Sequence, residues 1–309
     1  MADTPLIRLG TRQSPLAMAQ AHEARARLCA AHGWDEEAVE LVPVIASGDK
    51  IQDRPLAEIG GKALWTRELD IWLAEGRIDA AVHSMKDVET LRPETLTIAA
   101  ILPRADKADV LLGAGSLDAI PEGARVGTRA PRRAAQLLHR RPDLQVVGIR
   151  GNVATRMAKL EGGEADATFL AAAGLQRLGE EQVGTRLDHE DWLPAPAQAA
   201  IGIECRADNA KAREYLAAID HAPSHAEILA ERRLLEGLGG GCSSPIAALT
   251  KTDCDTLVLR AAIFSVDGRE RIEDSANFAS DDHDAPRELA ARLLSQAPPA
   301  VRALFEGGA

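Results

Sequence analysis

Apolar and polar positions along this chain fall into two alternating rhythms. Leu6 to Gly10 and Glu40 to Ala46 are short apolar-rich runs that predict strands, while Pro15 to Ala31 is rich in strong helix formers. Ala63 to Glu75 places Leu64, Trp65, Leu69, Trp72 and Leu73 at helical spacing. Ile78 to Val82, Thr97 to Leu102, Ala108 to Leu112, Gln145 to Ile149, Ala165 to Ala171 and Ile201 to Cys205 read as further strands. A helix over Ala226 to Leu235, a β-rich stretch over Thr256 to Val266 and a helix near Pro286 to Leu294 complete the pattern. Such alternation predicts an α/β protein with mixed, mostly parallel sheets covered by helices.

One internal echo bears on organisation. Arg8-Leu9-Gly10-Thr11-Arg12-Gln13-Ser14-Pro15 is matched by Arg125-Val126-Gly127-Thr128-Arg129-Ala130-Pro131. Each leaves an apolar strand and enters a helix through a proline, whose missing N–H costs nothing in the first turn. A strand–turn–helix of this kind offers free N–H groups and a positive dipole end to an anion. Two similar lobes are therefore expected: a first domain of residues 1–102 and 201–219, and a second of 103–200. Pro194 to Ala200 resembles a hinge between them, and residues 220–309 form a small α+β third domain.

Charge and composition narrow the partners. A net charge of -11 argues against nucleic acid. Yet Arg12, Arg129, Arg132, Arg133, Arg150 and Arg156 sit at or near turns rich in Gly, Ser and Thr, which points to a small anion. No apolar run approaches the ~20 residues of a membrane span. With no secretory pattern at the start and four cysteines lacking paired spacing, a reduced, cytoplasmic protein is expected.

Two segments carry chemistry. In Ala80 to Val88 (AAVHSMKDV) an apolar strand stops at Lys86 and Asp87, placing an ammonium and a carboxylate at a strand's carboxyl end, where α/β sheets hold ligands. A partly buried Asp87 could stabilise a developing positive charge or move a proton. Cys242, between Gly239-Gly240-Gly241 and Ser243-Ser244-Pro245, is a thiol on an irregular turn, suited to be a nucleophile or attachment point. No metal is expected: nothing near Cys242 has ligand spacing, and His221 and His225 lack a third ligand. Gly60-Gly61-Lys62-Ala63 lacks the remaining residues of a P-loop, Gly237-Leu238-Gly239 is no dinucleotide fingerprint, and no Gly-x-Ser-x-Gly occurs. These residues alone leave open an enzyme and a non-catalytic two-lobed anion-binding protein.

Together the motifs resemble the porphobilinogen deaminase (hydroxymethylbilane synthase) family. The resemblance is carried by His83-Ser84-Met85-Lys86-Asp87-Val88, Gly10-Thr11-Arg12-Gln13-Ser14-Pro15, Arg150-Gly151-Asn152 with Thr155-Arg156, and Gly241-Cys242 with Pro245-Ile246. Ala173-Gly174-Leu175, Arg177-Leu178-Gly179 and Gly202-Ile203-Glu204-Cys205-Arg206 extend it. It implies two periplasmic-binding-protein-like lobes, a third domain bearing the cysteine, and a monomer. It also implies a dipyrromethane cofactor joined to Cys242 by a thioether, and stepwise condensation of four porphobilinogen molecules with loss of ammonia. By position, Asp87 would be catalytic, with Lys86, Arg132 and Arg133 on the cofactor. Arg12, Ser14, Arg150, Arg156, Arg177 and Gln198 would meet porphobilinogen and the growing polypyrrole chain. The chain departs from the family at Arg129-Ala130, where hydroxyls are usual, at Ala199, where glycine follows the glutamine, and at Trp65, where phenylalanine is usual. A catalytically weakened relative is the alternative those departures suggest.

Overall fold

A computed structural model describes residues 5–44, 66–241 and 243–305. The chain opens with β1 (Ile7–Arg12), α1 (Pro15–His32), β2 (Val39–Val44), α2 (Arg67–Ala74), β3 (Ala80–Ser84) and β4 (Leu96–Ile101). It continues with β5 (Asp109–Leu112), β6 (Arg125–Gly127), α3 (Pro131–Arg140), β7 (Gln145–Val147), α4 (Val153–Glu161), β8 (Ala167–Ala171), α5 (Ala172–Arg177) and β9 (Thr185–Arg186). Then come β10 (Ile201–Arg206), α6 (Ala210–Ala217), α7 (Ala222–Leu238), β11 (Ile246–Asp253), β12 (Thr256–Phe264), β13 (Arg271–Ala279), α8 (Ala285–Gln296) and α9 (Pro299–Arg302).

Two five-stranded sheets have the same plan. One runs β2-β1-β3-β10-β4 and the other β7-β6-β8-β5-β9. In each the first three strands are parallel, and the last two pair antiparallel. The sheets are thus mixed as expected, but parallel in half of their pairings rather than most. The reason is that β10 and β5 enter from distant parts of the chain instead of through a right-handed crossover from the neighbouring strand. The echoed glycines serve the same end in both sheets. A Cβ on Gly10 would lie 2.3 Å from Ile78 Cδ1, and one on Gly127 would lie 2.2 Å from Ile149 Cδ1.

By internal packing the chain divides into two compact units, Met1–Arg104 with Ala200–His225, and Ala105–Ala199 with Ala226–Ala309. The first holds one five-stranded sheet. Ile7, Leu9, Ile201 and Ile203 pack on α1 through Ala21, Ala24 and Leu28, and α2 covers the other face through Leu69 and Leu73. The second holds the other five-stranded sheet and the three-stranded antiparallel sheet β11-β12-β13. Ala135 of α3 and Leu193 share a buried cluster with Ala247, Leu249, Ala262 and Phe264 of that smaller sheet, which is why the two sheets pack as one unit. Strand edges differ from the sequence reading by one or two residues. The helix expected over Ala63 to Glu75 is seen as α2, with 63–65 outside the described residues, as are Ile45 and Ala46 beyond β2. α7 extends well past Ala226 to Leu235 at both ends, and β11 and β13 flank the one β-rich stretch that the sequence pattern predicts.

Candidate functional site

The first unit builds its site on the ends of β1 and β3. After β1 the chain turns at Ser14, which caps α1: its Oγ accepts the Ala17 N–H at 3.3 Å, and Pro15 occupies the first turn. Gln20 on α1 exchanges hydrogen bonds of 2.9 and 3.1 Å with Ser84, fixing the end of β3 to the helix. Beyond Ser84 lies a single 3-10 turn, Met85–Asp87. Met85 is buried, and its N–H donates to Ala200 O at 3.0 Å. Lys86 and Asp87 are half-buried. Arg12, Gln20, Thr66, His83, Ser84 and Asp87 line one small pocket. The Asp87 carboxylate has no hydrogen-bond or ion-pair partner among the described residues.

Beneath this turn runs a charge network. Glu204 on β10 is fully buried, 3.1 Å from His83 Nε2, and accepts from Arg92 Nε and Nη2 at 3.0 Å each. Arg92 also meets Asp70 at 2.5 Å and Glu89 at 2.8 Å, and Thr66 donates to Glu89. Burial alone would raise the Glu204 pKa, but His83 and Arg92 outweigh it and hold the carboxyl down at about 2. Burial likewise lifts the Cys205 thiol, on the core side of β10, to about 11.

The second unit builds a site of opposite sign on its corresponding turn. Ala130 stands where Ser14 stands in the first and has no side-chain oxygen, so α3 begins without a side-chain cap. Thr128 Oγ1 accepts the Ala130 N–H at 3.2 Å instead. The next two residues after Pro131, Arg132 and Arg133, point inward onto the fully buried Asp109 at the start of β5, at 2.8 and 2.7 Å. Trp192 Nε1 and Gln198 Nε2 also donate to Asp109, each at 2.9 Å. Burial would raise the Asp109 pKa, yet the two guanidinium groups drive it far below the usual carboxylate range. Two cations against one anion leave this buried cluster positive. Arg132 Nε is moreover buried without an acceptor among the described residues. Both features fit a group that carries carboxylates, since a buried guanidinium N–H lacking an acceptor is costly.

The remaining sequence-predicted residues are spread through the second unit. Arg150 precedes the Gly151 turn, where φ is 124° and a Cβ would lie 2.4 Å from Thr155 Cγ2. Asn152 caps α4 by accepting the Thr155 N–H at 2.9 Å, and Arg156 Nε donates to Gly151 O at 3.0 Å. Arg177 ends α5 and donates to Ala199 O at 3.1 Å. Gln198 is buried, its amide given to Lys107 O at 2.7 Å and to Asp109. Its neighbours Ala197 and Ala199 have φ of 58° and 71°, a left-handed backbone that disfavours side chains. The segment is pinned further by the Ala197 N–H, which donates to buried Glu231. Cys242, Lys62 and Trp65 lie outside the described residues.

The structure thus brings Arg12 and Asp87 to one pocket and Arg132, Arg133 and Gln198 to one carboxylate. Sequence reasoning gave no role to Asp109, Glu204, Arg92 or Trp192. An acid inside an otherwise apolar strand, as in Ala108-Asp109-Val110-Leu111 and Gly202-Ile203-Glu204-Cys205, was the available signal, because a buried carboxylate requires partners. Among the described residues no cluster of His, Cys, Asp and Glu could hold a metal ion, and no helix is long and apolar enough to cross a membrane.

Comparison with known proteins gives a consistent result. Residues 7–214 match the family model described as porphobilinogen deaminase, dipyromethane cofactor binding domain, and residues 225–296 match porphobilinogen deaminase, C-terminal domain. The porphobilinogen deaminase of Sphingopyxis alaskensis is 55% identical over 309 residues, covering 98% of this chain and 97% of that one. That of Paracoccus denitrificans is 48% identical over 296 residues, covering 94% and 95%. Among solved structures, the periplasmic VFT2 domain of Bordetella pertussis BvgS aligns at 18% identity and a TM-score of 0.41, over 75% of this chain and 94% of that one.

Proposed function

The chain belongs to the porphobilinogen deaminase family, and from that premise we propose that it joins four porphobilinogen molecules head to tail. Each joining releases one ammonia, and water finally frees the linear tetrapyrrole hydroxymethylbilane. The observation that carries this reading is Asp87: a half-buried carboxylate with no partner among the described residues, in a pocket with Arg12.

When bound, a dipyrromethane joined to Cys242 by a thioether supplies the primer to which rings are added. Arg132, whose Nε lacks an acceptor among the described residues, would hold its carboxylates with Lys86 assisting. Arg133, whose Nε, Nη1 and Nη2 already meet Asp109 and Phe169 O, would add positive charge beside them; the positive excess around Asp109 supports this. Arg12, Arg150, Arg156 and Arg177 bind the acetate and propionate groups of porphobilinogen and the growing chain through charge-assisted hydrogen bonds, at about 1.5–3 kcal/mol each. Ser14 fixes the turn that presents Arg12. Gln198, whose amide is already engaged, acts by holding Asp109 in place rather than by touching substrate. Asp87 accepts the pyrrole N–H groups as positive charge spreads over the ring during ammonia loss and coupling, and moves the proton that coupling releases.

The chain works as a monomer in three domains: residues 1–102 with 201–219, 103–200, and 220–309. Their three separate sheets support the division. The net charge of -11 disfavours nucleic acid as a partner. Intact mass tests the reading. Purified protein should exceed its sequence mass by one dipyrromethane located on Cys242, turn pink with acidic Ehrlich's reagent, and gain stepwise adducts with porphobilinogen. Folded, active protein at the bare sequence mass would overturn it.

A further inference from the structure

We infer that Glu204 is the positioning residue of the Asp87 turn, a single buried carboxylate that fastens both flanks of the segment carrying Asp87. This rests on the role given to Asp87 above. Along β10, residues two apart face the same side, and its pairing with β3 runs unbroken from Ile201 to Cys205, so Gly202 and Glu204 look the same way. That side receives the turn. A Cβ on Gly202 would lie 2.0 Å from Met85 Sδ, so only glycine lets Met85 sit against the strand. Glu204 meets His83 at 3.1 Å just before the turn, and Arg92 through two 3.0 Å hydrogen bonds just after it.

Three side chains of the 83–92 segment are therefore seated on one face of β10, and Asp87 projects between the fastened flanks. Glu204 is fully buried while Asp87 is half-buried, so Glu204 acts through the backbone of the turn. Its carboxyl, held down at about 2, stays ionised at neutral pH and keeps both contacts. Loss of its charge removes the carboxylate that His83 faces and weakens the hold on Arg92, which keeps Asp70 and Glu89.

The test is Glu204→Gln, which keeps the shape and removes the charge. Turnover should fall by about ten-fold or more while KM for porphobilinogen stays within about three-fold. Hydrogen exchange without substrate should accelerate at the Met85 N–H, bonded to Ala200 O, and at the Val88 N–H, bonded to Met85 O. Glu204→Asp should recover part of both. Turnover near the parent's would overturn the inference, and so would lost turnover with unchanged exchange. If Glu204→Gln does not fold, Arg92→Gln and His83→Asn, each freeing one flank, carry the same expectations and the same overturning results. A weak Asp87→Asn beside a parent-like Glu204→Gln sinks the inference alone. A parent-like Asp87→Asn sinks the reading of Asp87 and the inference with it.

Discussion

The two five-stranded sheets share one plan but carry opposite charge. Each places a buried acid on its fourth strand, Glu204 on β10 facing His83 and Arg92, and Asp109 on β5 facing Arg132 and Arg133. In the first sheet Asp70 and Glu89 join the network, so acid is in excess and Asp87 stands beside it without a partner among the described residues. In the second the two arginines outnumber the acid and base is in excess. The turns that follow β1 and β6 differ in the same spirit. Ser14 satisfies an N–H of α1, whereas Ala130 leaves the start of α3 without a side-chain acceptor. Strand order therefore does not decide what a sheet binds; the side chains that converge on its one buried acid do.

Changes that break this contrast should have effects that follow burial. Asp109→Ala should have the largest, because it leaves two buried guanidinium groups uncompensated: urea unfolding should show a loss of about 3–5 kcal/mol. A loss under about 1 kcal/mol would mean that Asp109 is not what neutralises them. Next, Asp87→Asn should lower turnover by about 10²–10³ while leaving the fold and the intact-mass adduct in place, and steady-state kinetics would read it.

Acid sharpens the contrast from the other side. The folded pKa of Glu204, about 2, lies below its ordinary 4.5, so the group stabilises the fold above pH 4.5, and that stabilisation is lost as pH falls toward 2. Stability measured by urea across that window should fall with pH, and less steeply in Glu204→Gln. Identical slopes would show that Glu204 is not held down by its partners. The smallest effect is expected from Ala130→Ser, which gives α3 the cap that α1 has and should raise stability by about 1 kcal/mol in thermal unfolding. No gain would mean that the two turns differ in something other than capping.

Much of the fold was legible because hydrophobic period is a local property. β1, β3 and β10 were legible within a residue or two from apolar runs and α1 from its strong helix formers, and the Gly10 and Gly127 echo marked matching places in two matching sheets. β13 was missed because Glu273, Asp274, Ser275 and Asn277 make it polar: its burial is confined to a few positions on an edge strand. The candidate site was legible where a strand ends abruptly in charge, at Lys86-Asp87, and where arginine gathers at a helix start, at Arg132-Arg133. The packing of the three-stranded sheet against the second five-stranded sheet was not. It depends on Phe264 and Ala135, far apart in sequence, sharing one cluster.

By itself the sequence determined the elements, the repeated strand–turn–helix, and a family match running from β1 into α8. Tertiary structure alone decided which acid meets which cation. Arg92 with Glu204, and Arg133 with Asp109, are pairs separated by long stretches of chain. Period and propensity act over a few residues, whereas a buried charge is stabilised by whatever the fold brings within hydrogen-bond reach.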